Sequence, residues 1–331
     1  MPRTCWKGKC RAEGMFSGSG RWCAGLVLAL AAVGAATPRA AAATAPQPQV
    51  WLISTCSAPC SGDVEAGLGQ IAFWQLDPTD SCRWLPADAE ALGRAAPLPT
   101  AVFIPGFNTG PDAAIQEANA VYCDMQREAA GRPFRLVIWA WPSQRDRHAR
   151  ISADMRLKAS WCDAESYYLA CILSRLPVGA PVGLIGYSYG ARIAGGALEL
   201  LAAGRLPGYS LPAEARAAWT AAPRSVRVLL VAAAMDADWL AAGHRNGDAL
   251  SIVQRAAVTL DCCDRVLHWY TRLYGRGGPP ALGGVGPTGC DGGKLQVLDV
   301  ACAVGKKHDW YRYESAVAQQ LGWFTFLAGD P

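Results

Sequence analysis

One serine of the chain stands in a setting typical of a nucleophile. Ser188 is the centre of Gly186-Tyr-Ser-Tyr-Gly190, a G-x-S-x-G pattern between the apolar run 181–185 and a helical run that begins near Ala191. A tight turn from strand to helix holds such a serine in a strained conformation and raises its oxygen above the sheet, at the helix N-terminus. We therefore predict that Ser188 is a nucleophile. The alternative is a glycine-rich turn whose serine only caps the helix.

A serine hydroxyl reacts only with the help of a base, and the chain has four histidines. His148 precedes the serine, whereas this type of turn is followed along the chain by an acid and then a histidine. His244 and His268 lie within or beside predicted helices, while His308 lies in a polar loop just before the last one. We predict that His308 is the base, with an exposed loop histidine as the alternative.

The base needs a carboxylate that sets its tautomer, and two aspartates follow predicted strands. Asp264 follows the strand that ends at Leu260, and Asp236 follows the strand before it. The acid usually follows the later strand in this topology, which favours Asp264. Asp236 stays open as a rival and could instead cap the next helix, and Asp261 is a minor rival.

The oxyanion of an acyl-transfer reaction needs N–H donors held in place beforehand. The residue after the nucleophile supplies one, which is the backbone of Tyr189. The loop 105–110, which follows the strand 100–104, is expected to supply the other through the N–H of Phe107. A plain turn before a helix is the alternative for that loop. No C-x-x-C pair is present, and we predict neither a metal nor an organic cofactor.

Strands and helices alternate along the chain. Apolar runs bounded by turn residues predict strands at 50–54, 70–76, 100–104, 134–141, 181–185, 226–232, 256–260 and 294–300. Helical periodicity predicts helices at 111–130, 152–176, 191–203, 240–255 and 315–327. Such alternation predicts an α/β fold with a mostly parallel central sheet and helices on both faces. Its ligand is expected at the carboxyl ends of the strands.

Residues 1–45 are typical of a targeting segment. Basic residues precede the uncharged stretch 22–38, and the small residues 40–45 follow it. This order predicts a secretory signal peptide that is cleaved after Ala43 or Ala45, leaving one domain over residues 46–331. The apolar run is shorter than the ~20 residues of a spanning helix. We expect export to the periplasm or the extracellular space. An uncleaved N-terminal anchor is the alternative, and membrane contact is expected only in that case.

The composition of the 331 residues, 51% hydrophobic and 18% charged, excludes a disordered tail protein and a collagen-like repeat. Residues 1–45 carry six basic residues and one acidic residue, so the net charge of +4 becomes −1 without them. With no basic stripe interleaved with aromatic residues, a nucleic-acid partner is not expected. Three of the thirteen cysteines also lie in the leader. An even ten remain, which predicts disulfides in an exported protein.

Four short stretches resemble the α/β-hydrolase fold and, more narrowly, the DUF900-type bacterial hydrolases. They are Val102-Phe-Ile-Pro-Gly-Phe-Asn-Thr109, Trp139-Ala-Trp-Pro-Ser143, the serine turn at 186–190, and Ala233-Ala-Met-Asp236. The resemblance spans about residues 100–325 and implies hydrolysis of esters without naming a substrate. Two positions depart from it, because Pro105 and Tyr187 replace histidines of the family pattern. The first of those histidines braces the oxyanion loop in the family, so its replacement by Pro105 removes that support from the loop.

The predicted function is hydrolysis of carboxylic esters by an exported serine hydrolase that forms an acyl-enzyme. The expected substrate is a small-molecule or lipid ester. Two alternatives stay open. One is a non-catalytic cell-envelope protein on a hydrolase scaffold, and the other is a thioesterase, peptidase or acyltransferase that uses the same three residues. The sequence leaves the oligomeric state open.

Overall fold

The computed structural model describes Thr4, Trp6 and residues 47–275, 277–290 and 293–328. Eleven strands are present in these residues. They are β1 (Gln49–Ser54), β2 (Ala72–Asp77), β3 (Asp80–Ala87), β4 (Thr100–Ile104), β5 (Arg135–Ala140), β6 (Val182–Tyr187), β7 (Arg205–Leu206), β8 (Tyr209–Ser210), β9 (Val226–Val231), β10 (Arg255–Leu260) and β11 (Leu295–Asp299).

Nine of these strands form one sheet, in the order β11-β10-β9-β6-β4-β5-β1-β2-β3. The seven strands from β11 to β1 are parallel to one another. Strands β2 and β3 continue the sheet as an antiparallel hairpin beside β1. Strands β4, β5, β6 and β9 are buried along their whole length, as expected for strands covered on both faces.

Ten α-helices accompany the sheet in the described residues. They are α1 (Val64–Gly67), α2 (Ala89–Arg94), α3 (Pro111–Ala129), α4 (Ile151–Ser174), α5 (Tyr189–Ala203), α6 (Ala213–Thr220), α7 (Arg265–Leu273), α8 (Leu282–Val285), α9 (Ala301–Val304) and α10 (Trp310–Phe324). Helix α3 packs against α10, and α4 packs against α5. Because crossovers between parallel strands are right-handed, these two pairs cover opposite faces. Across the described part of the chain, no helix combines the length and apolar character needed to span a bilayer.

The predicted α/β fold with a mostly parallel central sheet and helices on both faces is confirmed. One predicted helix is wrong, and one strand of the sheet was not predicted. In place of the expected helix 240–255, residues 240–254 form turns and one short 3₁₀ segment, Ala249–Ile252, and Arg255 begins β10. Gly243 has φ +81°, which ends any helix there, and a Cβ at Gly247 would lie 2.7 Å from the Ala241 carbonyl oxygen. The hairpin strand β3 was not expected, because polar residues and Pro86 mark its sequence. Pro86 is tolerated because β3 is an edge strand.

Two residues of the predicted leader contact the antiparallel edge of the sheet. The Trp6 N–H donates to the Ser81 carbonyl at 2.7 Å, and its ring meets that of Tyr122 edge-on at 5.1 Å. The Trp84 indole donates to the Thr4 carbonyl at 3.3 Å. The rest of the leader and its cleavage site lie outside the described residues.

The cysteines differ from the expected pattern of pairing among the ten that follow the leader. Cys82 is disulfide-bonded. Free thiols are found in the described residues at Cys56, Cys60, Cys162, Cys171, Cys262, Cys263 and Cys302. Cys162 and Cys171 are buried in α4, where a thiol behaves as a small apolar side chain. An even count therefore did not translate into a full set of disulfides.

Candidate active site

Ser188 occupies the turn between β6 and α5 with φ +54° and ψ −114°, a strained conformation for a residue with a side chain. Glycines on both sides make this turn possible. A Cβ at Gly186 would lie 2.7 Å from the backbone of Ala191, and a Cβ at Gly190 would overlap the carbonyl oxygen of Ile104. The pattern read from the sequence is therefore a steric requirement of this strand–turn–helix.

His308 and Asp264, separated by 44 residues, are brought together at the carboxyl end of β10. His308 Nδ1 lies 2.7 Å from Asp264 Oδ2. The same oxygen accepts the Tyr313 hydroxyl at 2.7 Å. The other oxygen accepts the backbone N–H groups of Val266 and Leu267 at 2.8 and 3.1 Å, as the N-cap of α7. One carboxylate thus caps a helix and orients an imidazole.

The Asp264 carboxylate is charged despite its burial. It is fully buried, and burial, the largest single influence, would raise its pKa. The hydrogen bond and charge of His308, with the hydrogen bonds from Tyr313 and Leu267, outweigh burial and lower the pKa below its usual value. A carboxylate held ionised in this way would stabilise a positive charge on the neighbouring His308 ring.

The two rival aspartates make other contacts. Asp236 accepts the Tyr270 hydroxyl at 2.5 Å and pairs through its backbone with Ala281. Asp261 is buried and accepts the N–H of Cys263 at 2.9 Å. Neither has a hydrogen bond to His308, whose Nδ1 is taken by Asp264.

The other three histidines stand away from this arrangement. His148 and His268 are exposed, and His244 pairs at the surface with Asp238 at 3.1 Å.

The His308 ring presents its second nitrogen inside the site. The ring stacks on Tyr187 with centroids 5.2 Å apart and planes 25° from parallel. Nε2 is buried and has no hydrogen-bond partner among the described residues. His308 and Ser188 line the same cavity.

The two predicted oxyanion donors lie beside the serine. Tyr189 is the first residue of α5, so its N–H precedes the intrahelical hydrogen bonds. Phe107 lines the cavity with Ser188, and its N–H donates to no described residue. Gly106 allows the close approach, since a Cβ there would lie 2.9 Å from the Ser188 Cβ.

A tryptophan and a serine after β5 brace the oxyanion loop, where Pro105 departs from the family pattern. The Trp141 indole donates to the Pro105 carbonyl at 2.9 Å. The Ser143 carbonyl accepts the Asn108 N–H at 2.8 Å, and its hydroxyl donates to the Thr109 carbonyl at 2.6 Å. Asn108 takes φ +68°, which asparagine tolerates better than most residues. The loop 105–110 is thus held in place although position 105 carries a proline and not a histidine.

The sequence reading missed Tyr313 and the bracing roles of Trp141 and Ser143. No local pattern marks Tyr313, which reaches Asp264 only because α10 returns over the sheet. For Trp141 and Ser143 the signal was the Trp-Pro-Ser ending of a predicted strand, since residues that follow a parallel strand face the ligand edge of the sheet.

A cavity of about 730 Å³ opens at the serine. Its residues from α4 and α7 are mostly apolar: Ile151, Ser152, Met155, Arg265, Val266, Trp269, Tyr270, Arg272 and Leu273. Residues from α3 and the start of α10 add Glu117, Asp309 and Trp310. The Glu117 Oε2 is buried without a hydrogen-bond partner among the described residues. Burial and the charge of Asp309 raise the pKa of Glu117 to about 8.

No group of three or more metal-ligating His, Cys, Asp or Glu side chains occurs in the described ranges.

Comparisons with known proteins find likeness at the level of solved structures. No protein-family model matches the chain, and neither does any curated protein sequence. The alignment with an acetylxylan esterase covers 70% of this chain and 96% of the esterase, at 12% identity and a TM-score of 0.33. The alignment with an inhibited esterase B from Lactobacillus rhamnosis covers 86% of this chain and 88% of the esterase, at 12% identity and a TM-score of 0.36.

The alignment with the esterase LipW from Mycobacterium marinum covers 81% of this chain and 80% of LipW, at 11% identity and a TM-score of 0.34. At these values the likeness transfers neither a substrate nor a mechanism to this chain. The narrower resemblance to DUF900-type hydrolases has no family model behind it and stays a prediction.

Proposed function

We propose that this protein is a serine hydrolase that cleaves carboxylic esters through an acyl-enzyme. Ser188 Oγ attacks the acyl carbon while His308 Nε2 takes its proton. Asp264 holds His308 in the tautomer with a proton on Nδ1 and stabilises the imidazolium. The N–H groups of Phe107 and Tyr189 stabilise the oxyanion. His308 then protonates the leaving alcohol, and water, activated by the same imidazole, releases the acid.

The observation that carries this proposal is the pairing of His308 with Asp264 beside a serine in a strained turn. The imidazole has one nitrogen bound to a buried, charged carboxylate at 2.7 Å and the other buried and unpaired. The serine is 5% exposed and faces the same cavity. A histidine with only a structural role would have no reason to keep one ring nitrogen unpaired beside a strained serine. A role as general base therefore explains the arrangement better.

The cavity supports an ester with an apolar acyl chain. A volume of about 730 Å³ is within the range of small-molecule pockets. The side chains of Met155, Trp269 and Leu273 offer apolar surface within reach of the serine. We propose that the acyl chain lies along α4 and α7, and that the alcohol leaves past Glu117.

Export is a separate part of the proposal and rests on the leader sequence 1–45 alone. The N-terminal sequence of protein recovered from the periplasm or medium, compared with that of the cell pellet, tests export and cleavage together. A start at residue 44 or 46 supports cleavage, and a start at residue 1 in the cell fraction overturns it.

A fluorophosphonate probe and p-nitrophenyl esters of increasing acyl length test the catalytic proposal. We expect the probe to label Ser188 and the esters to be hydrolysed, with both lost in Ser188→Ala. Ser166→Ala is the matched control, because Ser166 is another buried serine, whose hydroxyl donates to carbonyl oxygens in α4 and α5. Labelling that persists in Ser188→Ala overturns the assignment of the nucleophile. Labelling of Ser188 without turnover of any ester overturns ester hydrolysis in favour of a thioesterase, peptidase or acyltransferase, and the absence of both labelling and turnover favours a non-catalytic protein.

A further inference from the structure

Three of the nine large exposed apolar side chains of the described residues stand at the opening of the cavity. Ile151 is 53% exposed, Val266 38% and Trp269 59%, and all three also line the cavity. A side chain that lines a cavity and faces solvent stands at its opening. These residues lie on the start of α4 and on α7, two helices in contact with each other.

Arginines share this opening with the apolar residues. Arg145, Arg265 and Arg272 are exposed and line the same cavity. None of the three forms an ion pair within the described part of the chain. Arg272 lies over the Trp269 ring at 4.4 Å, so its charge is held beside an exposed aromatic surface. We call these three arginines, with Ile151, Val266 and Trp269, the mouth.

The charge around the mouth is locally one-sided. The segments 145–157, 265–274 and 306–309 carry eight lysines and arginines, all exposed, against two exposed acidic residues, Asp146 and Asp309. The chain after residue 45 has a net charge of −1. The excess of positive charge is therefore a local property of the mouth and the segments around it, and not of the whole domain.

A surface of exposed apolar groups interspersed with arginine matches a particular chemistry. Tryptophan and isoleucine side chains enter the boundary between headgroups and acyl chains, while arginines attract anionic headgroups. The cavity opens in the middle of this surface. A protein bound there would close the cavity, whereas a lipid layer would deliver acyl esters into it. The arrangement therefore favours a lipid surface over a protein partner.

We propose that the mouth docks this protein on the surface of an anionic lipid bilayer. Ile151, Val266 and Trp269 insert at the headgroup boundary, and Arg145, Arg265 and Arg272 contact the headgroups. The docked orientation turns the cavity toward the lipid. The choice of a lipid surface over a protein rests on the proposed ester hydrolysis, but the binding itself uses no catalytic group and can be measured without activity.

Co-sedimentation with vesicles tests this docking, with the full chain carrying Ser188→Ala so that no lipid is consumed. Two vesicle types are compared, phosphatidylcholine alone and phosphatidylcholine mixed with phosphatidylglycerol. We expect binding to the mixed vesicles that weakens as salt is raised. Replacing Ile151→Ser and Trp269→Ser together should lower the partition coefficient roughly tenfold. Replacing Arg145→Gln and Arg272→Gln together should lower it roughly tenfold on the mixed vesicles only.

Matched controls come from the opposite end of the sheet. Val178 is 61% exposed and precedes β6, and Arg205 is exposed and follows α5. Val178→Ser and Arg205→Gln should leave binding unchanged, and the leader is common to all variants. Equal binding by mouth and control variants, or no binding to either vesicle, overturns the proposal. A dimer in sedimentation velocity that is lost in Trp269→Ser also overturns it and assigns the mouth to self-association.

Discussion

The pKa values of two carboxyl groups beside the cavity, Asp264 and Glu117, are shifted in opposite directions, although burial is the largest influence on both. Asp264 accepts hydrogen bonds from a tyrosine, two backbone N–H groups and the imidazole, and its pKa is lowered. The buried Oε2 of Glu117, in the cavity wall, has no donor among the described residues, and its pKa is raised to about 8. The comparison teaches that hydrogen-bond donors and neighbouring charges, and not the depth of burial, set the direction of each pKa shift.

Glu165 lies between these two cases. It is fully buried, and its oxygens accept the Thr55 hydroxyl at 2.8 and 2.9 Å and the Trp139 indole at 3.0 Å. Burial raises its pKa to about 7, and these hydrogen bonds oppose the rise. The three carboxyls thus form a series in which more donors go with a lower pKa. Acids whose environments push their pKa values apart are typical of sites with divided roles.

The largest effect is expected from removing the charge of Asp264. Asp264→Asn keeps the helix cap, because asparagine caps helices well, but the amide can hold His308 in the wrong tautomer. We expect kcat for p-nitrophenyl esters to fall roughly 10³–10⁴-fold, with the thermal unfolding curve still cooperative. Asp236→Asn is the matched control, since Asp236 bonds Tyr270. A larger loss of kcat in Asp236→Asn would reverse the assignment.

Removing one donor from Asp264 should have a smaller effect. Tyr313→Phe deletes the hydroxyl that lies 2.7 Å from Asp264 Oδ2 and should raise the pKa of Asp264. A carboxyl whose folded pKa is lowered contributes stability above its unfolded pKa and loses it as the pH falls through the folded pKa. We therefore expect a loss of roughly 1–3 kcal/mol in unfolding free energy at pH 7, and a smaller loss near pH 3, in urea titrations. A loss of equal size at both pH values would argue for packing alone.

Weakening the donors of Glu165 should move it toward the behaviour of Glu117. Thr55→Val keeps the shape of a fully buried side chain but removes its hydroxyl, so the pKa of Glu165 should rise above about 7. We expect a loss of roughly 1–2 kcal/mol in unfolding free energy that is larger at pH 9 than at pH 5. Thr325→Val is the control, because the Thr325 hydroxyl bonds carbonyl oxygens only, and its loss should not depend on pH.

The smallest effect is expected at Glu117, where a substitution should increase the stability of the fold. A carboxyl whose folded pKa is raised binds a proton that the unfolded chain has released, so the protein loses stability as pH rises from about 4.5 to about 8. Glu117→Gln removes this loss. We expect Tm to rise by roughly 2–4 °C at pH 9 and to change little at pH 4.5 in a scanning fluorescence melt. The exposed Glu214 provides the control Glu214→Gln, and an equal rise in both variants would refute the interpretation.

Much of the fold could be predicted from local patterns. The strands β4, β6 and β9 begin or end within two residues of their expected bounds, because short apolar runs stopped by glycine and proline leave few alternatives. The strand β3 and the segment 240–255 could not be predicted in the same way. Tertiary contacts at the sheet edge stabilise β3 despite Pro86, and Gly243 and Gly247 override a weak helical period.

The candidate site also has one part that the sequence alone predicts and another that depends on tertiary contacts. The sequence alone determined the position of Ser188, because Gly186 and Gly190 are the small residues that a turn this tight requires. It also placed His308 in the loop before the last helix. The choice between Asp236 and Asp264 was left to the tertiary structure, since both follow adjacent parallel strands and only the return of α10 brings His308 to one of them.

The ionisation of these acids was likewise decided by the tertiary structure alone. Tyr313 stands 49 residues from Asp264, and Trp139 stands 26 residues from Glu165. No local pattern in the sequence predicts donors at such separations. The pKa of a buried acid depends on the donors that folding brings within hydrogen-bond distance of it, so charge at this site is a property of the packed chain.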